Sequence, residues 1–115
     1  MRIAQEEIFG PVIAVIKAKC FKDAVRAAND VTYGLSAAIC TSDPDRMQYF
    51  IDHIEAGVVK VNRPTTGNAY NAPFGGMKMS STATFRESGR AALDFYLIEK
   101  TVYHGSQPIK FCCGQ

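Results

Sequence analysis

Three β-branched runs separated by two amphipathic stretches restrict the fold of this chain more than any other feature. Val12-Ile13-Ala14-Val15-Ile16-Lys17-Ala18 is entered through Gly10-Pro11, Leu35-Ser36-Ala37-Ala38-Ile39-Cys40-Thr41 follows Tyr33-Gly34, and Val58-Val59-Lys60-Val61-Asn62 follows Gly57. Near-continuous apolarity in the first run, rather than alternation, predicts a strand covered on both faces. Between the first two runs, Phe21, Ala24, Val25 and Ala28 recur at i, i+3, i+4 and i+7, with Lys22, Asp23, Arg26 and Ala27 on the other side. That spacing predicts a helix ending near Asn29-Asp30. Met47, Phe50, Ile51 and Ile54 repeat the pattern behind Asp43-Pro44. Asp43 is the expected N-cap, Pro44 the first helical residue, and Gly57 the left-handed stop. With connections this short, the alternation leaves only βαβ crossovers. The expected fold is α/β with a parallel βαβαβ unit.

The second half differs in character. Arg63 to Thr84 carries Pro64, Gly67, Pro73, Gly75 and Gly76 among many Ser, Thr and Asn residues. It is expected to be a long loop, and long loops within a domain are commonly functional. A short helix is expected from Ser88 or Gly89 to Phe95 or Tyr96, with Leu93, Tyr96 and Leu97 on one face. Ile98 to His104 alternates like a strand, a candidate edge or intermolecular one, and Ile109 to Gln115 reads as a tail.

Composition narrows the class. With 115 residues the chain suffices for one domain, and 47% hydrophobic against 21% charged residues argues for a globular one rather than disorder, a coiled coil or collagen. No apolar run approaches a membrane span, and Met1 to Glu7 turns acidic where a signal sequence would become apolar, so no membrane association is expected. A net charge of +2 with interspersed signs makes no case for nucleic acid. Cys20 and Cys40 lie in apolar segments, Cys112-Cys113 are adjacent, and no C-x-x-C pair is present. All four are expected to be reduced thiols in a cytoplasmic protein, and with His53 and His104 far apart no metal site is expected. His53 is expected on the exposed side of its helix, and Met77 and Met79 to pack rather than bind metal.

Two motifs carry more specific information. Glu6-Glu7-Ile8-Phe9-Gly10-Pro11-Val12 and Pro73-Phe74-Gly75-Gly76-Met77-Lys78-Met79-Ser80 both resemble signatures of the NAD(P)-dependent aldehyde dehydrogenase superfamily. Tyr33-Gly34-Leu35-Ser36-Ala37-Ala38, Gly57-Val58-Val59-Lys60-Val61-Asn62 and Arg86-Glu87-Ser88-Gly89-Arg90 resemble it too, in the same order. The resemblance covers residues 3 to 104. It implies a C-terminal segment of such an enzyme: residues 1–97 as the last part of the catalytic domain, 98–106 as an oligomerisation strand that makes a homo-oligomer, and 107–115 as a tail.

The resemblance further implies that the nucleophilic cysteine and glutamate base lie upstream, so no catalytic residue is assigned and the segment alone is expected to be inactive. The cofactor implied is NAD or NADP and the substrate an aldehyde. Glu7 matches the glutamate that bonds the nicotinamide ribose hydroxyls, and Phe9 the phenylalanine that contacts the ribose-nicotinamide end. Without the motif, Glu6-Glu7 would be solvated charges and Phe9 a core residue. Residues 62–74 match the wall of the substrate tunnel, which puts Phe74 beside the aldehyde; it can also plug the loop onto the core. Asn62 can cap its strand or bind substrate. Asn62-Arg63-Pro64-Thr65-Thr66-Gly67, Tyr70, Ser80-Ser81 and Phe85-Arg86-Glu87 resemble the branch acting on 2-oxoglutarate semialdehyde (2,5-dioxopentanoate), close to succinate semialdehyde dehydrogenases. Arg63 can pair with a substrate carboxylate or be a surface arginine. The departure from commoner members is Ser80-Ser81-Thr82-Ala83-Thr84 where glycines are usual. The contrasting expectation is a free-standing, non-catalytic assembly domain built on the same fold.

Overall fold

The computed structural model describes residues 1–81 and 85–106. Helix α1 spans Phe21–Asn29 and α2 spans Pro44–His53. Between them lie β1 (Tyr33–Gly34) and β2 (Ser36–Ile39); β3 (Val58–Val61), β4 (Met77–Lys78) and the short helix α3 (Leu93–Tyr96) follow α2. α2 starts as its sequence predicts: the Asp43 carboxylate accepts from the Asp45 and Arg46 amides, and Pro44 needs no amide partner at the first position. α1 has no side-chain cap on Cys20; instead the Lys19 amide donates to Asp23 across its first turn at 3.1 Å.

β2 and β3 pair in parallel, Ser36 with Val58 through Ile39 with Val61, with α2 as the crossover. Both helices lie on one face of this pair. Among the described residues, Val25 from α1, Phe50 from α2, and Ile54 and Ala56 after it are the buried apolar side chains, against Phe21, Tyr49, Ala37, Ile39 and Val59. By strand alternation the opposite face carries Ser36, Ala38, Val58 and Lys60.

Several expectations need correction. Residues 12–18 form no strand; among the described residues their one backbone hydrogen bond is Val12 to Gly10, and Ile13 and Val15 are 87% and 90% exposed. A β-branched run makes a ladder only where another segment offers its amides and carbonyls, and none among the described residues does so. The parallel unit formed is thus βαβ, not βαβαβ. Residues 98–104 likewise have no paired neighbour among the described residues, with Ile98 95% and Tyr103 94% exposed. Gly57 is not left-handed; α2 closes at an extended Ile54. Ala24 and Ala28 of α1 are exposed, so only Phe21 and Val25 of its apolar stripe meet a neighbour. Met79 is three-quarters exposed and does not pack. The expected short helix splits into a single 3₁₀ turn, Arg90–Ala92, and α3. Thr82 to Thr84, the expected tail at 107–115, and Cys112-Cys113 lie outside the described residues.

The consequence is an elongated molecule. Its radius of gyration is 22.6 Å and its longest extent 82 Å, whereas a compact domain of this length would have a radius near 13 Å. No helix among the described residues is long and apolar enough to cross a membrane.

Candidate functional site: an acidic and aromatic hook beside a pinned loop

Met1 to Gly10 begins with a 3₁₀ turn, Arg2–Ala4. It is tied to the body where Gln5 donates to the Asp30 carbonyl at 2.5 Å. The two adjacent carboxylates that follow have different partners. Arg2 donates twice to Glu6, at 2.9 Å each, so Glu6 titrates below the ordinary glutamate range and Arg2 is held above its own. Glu7 has no such partner among the described residues and is exposed. Its carboxylate is therefore free to accept hydroxyl donors.

Phe9 stands two residues on, 91% exposed, at φ 54°. A phenylalanine in the left-handed region is disfavoured by about 1–2 kcal/mol, and an exposed ring gains little from burial to offset that. A cavity of about 520 Å³ opens here, lined by Ile3, Glu7, Ile8, Phe9 and Gly10 among others. Glu7 also borders a cavity of about 490 Å³ against Ala28, Leu35, Ala37 and Ala56. The pair foreseen from the first motif is thus brought together on one surface.

The second motif is held by backbone contacts. Phe74 and Glu87 exchange backbone hydrogen bonds at 2.5 and 2.7 Å. An added Cβ on Gly57 would lie 1.8 Å from the Gly75 carbonyl oxygen, so the loop backbone lies directly on the start of β3. Arg86 closes the contact, its guanidinium donating to the Gly76 carbonyl at 2.7 Å and passing beside Gly57 and Gly75. Phe74 itself is half-buried, consistent with an anchoring role, while Arg63 is exposed. Neither Arg63 nor Phe74 borders either of the cavities next to Glu7, so the structure does not unite the two expected pairs in one pocket.

Asn62 caps β3. Its amide donates to the Thr41 carbonyl and accepts from the Thr41 amide, each at 2.9 Å, with φ at 54°. Lys78 donates to the Asn29 and Val31 carbonyls and pairs with Glu55 at 2.5 Å, joining β4 to the end of α1. Roles for Arg86 and Lys78 were not foreseen. Their one visible signal is a long cation inside or next to an otherwise apolar or glycine-rich run. Cys20 and Cys40 are free and exposed; His53, also exposed, stacks on Tyr49 with ring centroids 3.9 Å apart. Among the described residues no group of three or more His, Cys, Asp or Glu could hold a metal ion.

The sequence profile of the aldehyde dehydrogenase family matches residues 1–102. The chain belongs to that family. It is 60% identical over 103 residues to an alpha-ketoglutarate semialdehyde dehydrogenase of Haloferax volcanii, covering 90% of this chain and 21% of the relative. With a 2,5-dioxopentanoate dehydrogenase of Saccharolobus solfataricus the identity is 51% over 105 residues, 91% of this chain and 22% of the relative. The crystal structure of a betaine aldehyde dehydrogenase from Staphylococcus aureus in complex with NAD+ superposes with a TM-score of 0.85 at 33% identity, over 100% of this chain and 22% of that one. The chain thus spans about a fifth of the length of these aldehyde dehydrogenases. Its α/β fold is that of the corresponding part of the family.

Proposed function

We propose that this chain supplies the cofactor-orienting hook and one wall of the substrate cleft in an NAD(P)-dependent aldehyde dehydrogenase that converts a semialdehyde to the corresponding carboxylate. One observation carries the reading. Glu6 is consumed by Arg2 while Glu7 is left free beside a fully presented Phe9. A free carboxylate suits two vicinal ribose hydroxyls, and an exposed aromatic face suits a flat heteroaromatic ring, so the residues present fit a nicotinamide nucleoside. When bound, that group accepts the hydride of aldehyde oxidation. The contribution of this chain is orientation, which can supply much of the rate of such a transfer.

The substrate class rests on relatives named for 2-oxoglutarate semialdehyde and its synonym 2,5-dioxopentanoate. Arg63, exposed on the loop after β3, is the cation available for the carboxylate of such an aldehyde. The nucleophile and base are supplied by polypeptide corresponding to the remaining four-fifths of the relatives, and the isolated 115-residue chain is inactive. Residues 12–18 and 98–104 are then strands whose partners lie in that polypeptide or in another subunit; their exposed apolar side chains support this reading. A reducing, cytoplasmic setting accords with the free Cys20 and Cys40.

The test is a chimera in which this segment replaces its counterpart in the Haloferax volcanii relative. The chimera should oxidise the semialdehyde with NAD or NADP, and Glu7→Gln should raise the KM for the cofactor or lower kcat by tenfold or more. A chimera indifferent to Glu7→Gln removes the orienting role, and turnover by the 115-residue chain alone removes the claim that reactive groups come from elsewhere.

A further inference from the structure

Lys60 sits in the middle of β3, on the face of the parallel pair that carries no helix. Its ammonium donates to three consecutive loop carbonyls: Thr65 at 3.0 Å, Thr66 at 2.8 Å and Gly67 at 3.0 Å. An ammonium has three donors and no acceptor, so these contacts exhaust it. Ser36, on the same face of the neighbouring strand, donates to the Thr65 carbonyl as well, at 3.3 Å. Three successive carbonyl dipoles aimed at one point repel one another, and the positive ammonium placed there offsets that repulsion. Gly67 at φ 76° provides the turn that aims the last of them. The loop is otherwise exposed from Asn62 to Pro73, with no apolar anchor of its own before Phe74.

We infer that Lys60 is a positioning residue: its ammonium templates the loop at Thr65 to Gly67 and thereby fixes Arg63, which lies between the Asn62 cap and the templated carbonyls. The substrate carboxylate is then met by Arg63 and not by Lys60, whose protons are already committed. The part concerning Arg63 rests on the proposed function; the templating does not. It follows that a neutral side chain at position 60 frees the loop without disturbing the four-residue core on the opposite face of the sheet.

Two readouts separate these parts. In the 115-residue chain, proteinase K cleavage within residues 64–72 should accelerate about tenfold in Lys60→Met and about threefold in Ser36→Ala, with far-ultraviolet circular dichroism unchanged. Lys60→Ala should be returned toward the original rate by millimolar propylammonium, which restores the deleted N–H donors, and not by tetramethylammonium, which has none. Equal cleavage of the original chain and Lys60→Met, or equal rescue by both cations, overturns the templating. In the chimera, Lys60→Met should raise the KM for the carboxylate-bearing semialdehyde at least fivefold, leaving kcat and the KM for an uncharged aldehyde within twofold. A loosened loop without that split overturns the presentation of Arg63, whereas a chimera indifferent to Glu7→Gln strikes the proposed function and leaves the protease result standing.

Discussion

Asn62 and Thr41 clasp the ends of β3 and β2: the Asn62 amide exchanges two hydrogen bonds of 2.9 Å with the Thr41 backbone, continuing the parallel ladder by one rung made from a side chain. The Asn62 backbone N–H donates to the Ile39 carbonyl at 2.7 Å. The Thr41 backbone N–H and carbonyl are thus paired where the chain turns out of the sheet at Asn62, and Arg63 follows that fixed turn.

Asn62→Ala should destabilise the chain by about 1–3 kcal/mol, since two hydrogen bonds are lost and alanine tolerates the left-handed backbone less well. Asn62→Gly loses the bonds but keeps the backbone freedom, so its cost should be smaller. Urea unfolding followed by circular dichroism ranks the pair, and the reverse order would refute the double role.

Gly57→Ala should be among the most damaging single changes, because the new methyl would overlap the Gly75 carbonyl. A cost of about 1–3 kcal/mol, or a displaced 73–76 loop, is expected. The loss should appear as faster chymotryptic cleavage after Phe74. Arg86→Gln should give the same phenotype in weaker form by removing the bond to the Gly76 carbonyl.

The titration of Glu6 tests the hook. Its carboxyl is held low by Arg2, so the ion pair contributes above the ordinary glutamate pKa and is lost as the pH falls through the depressed folded value. Arg2→Gln should return the Glu6 carbon resonance to the ordinary titration range in an NMR pH series. If it stays low without Arg2, another group is responsible.

Phe9→Asn should leave the chain unchanged or up to about 1 kcal/mol more stable, as asparagine adopts the left-handed region more readily and the lost ring is 91% exposed. The same substitution in the chimera should weaken cofactor use. Opposite signs for stability and activity would mark the residue as kept for binding; a clear loss of stability would show that the ring packs after all.

Exposed Ile13 and Val15 make the run at 12–18 adhesive. Ile13→Lys with Val15→Lys should lower light scattering of the 115-residue chain at high concentration without shifting its unfolding midpoint. Unchanged scattering would place the adhesive surface elsewhere.

Local chemistry was readable in advance where it depends on near neighbours in sequence. The Asp43-Pro44 start of α2, the Phe21 and Val25 stripe, the parallel pairing across α2 and the capping by Asn62 all follow from residues a few positions apart or from a single crossover. The first β-branched run was misjudged as paired within this unit, and the run at 98–104, expected as an edge or intermolecular strand, finds no partner among the described residues, for one reason. Strand propensity names a segment that can pair, and pairing needs a partner that periodicity does not supply. Gly57 was misjudged differently, since a glycine after a helix looks the same whether it supplies a left-handed turn or room for a distant carbonyl. In the candidate site, motifs singled out Glu7, Phe9 and Phe74, whereas Lys60 and Arg86 act on backbone carbonyls, which carry no side-chain signature.

The seating of the Gly75 backbone on Gly57 under Arg86 also limits how this segment can be re-engineered. A loop transplanted here from another dehydrogenase would have to bring its own glycine at the strand entrance and its own guanidinium from beyond the turn. The shape of this loop is held as a three-part module, and exchanging the visible loop alone would import a shape with nothing to hold it.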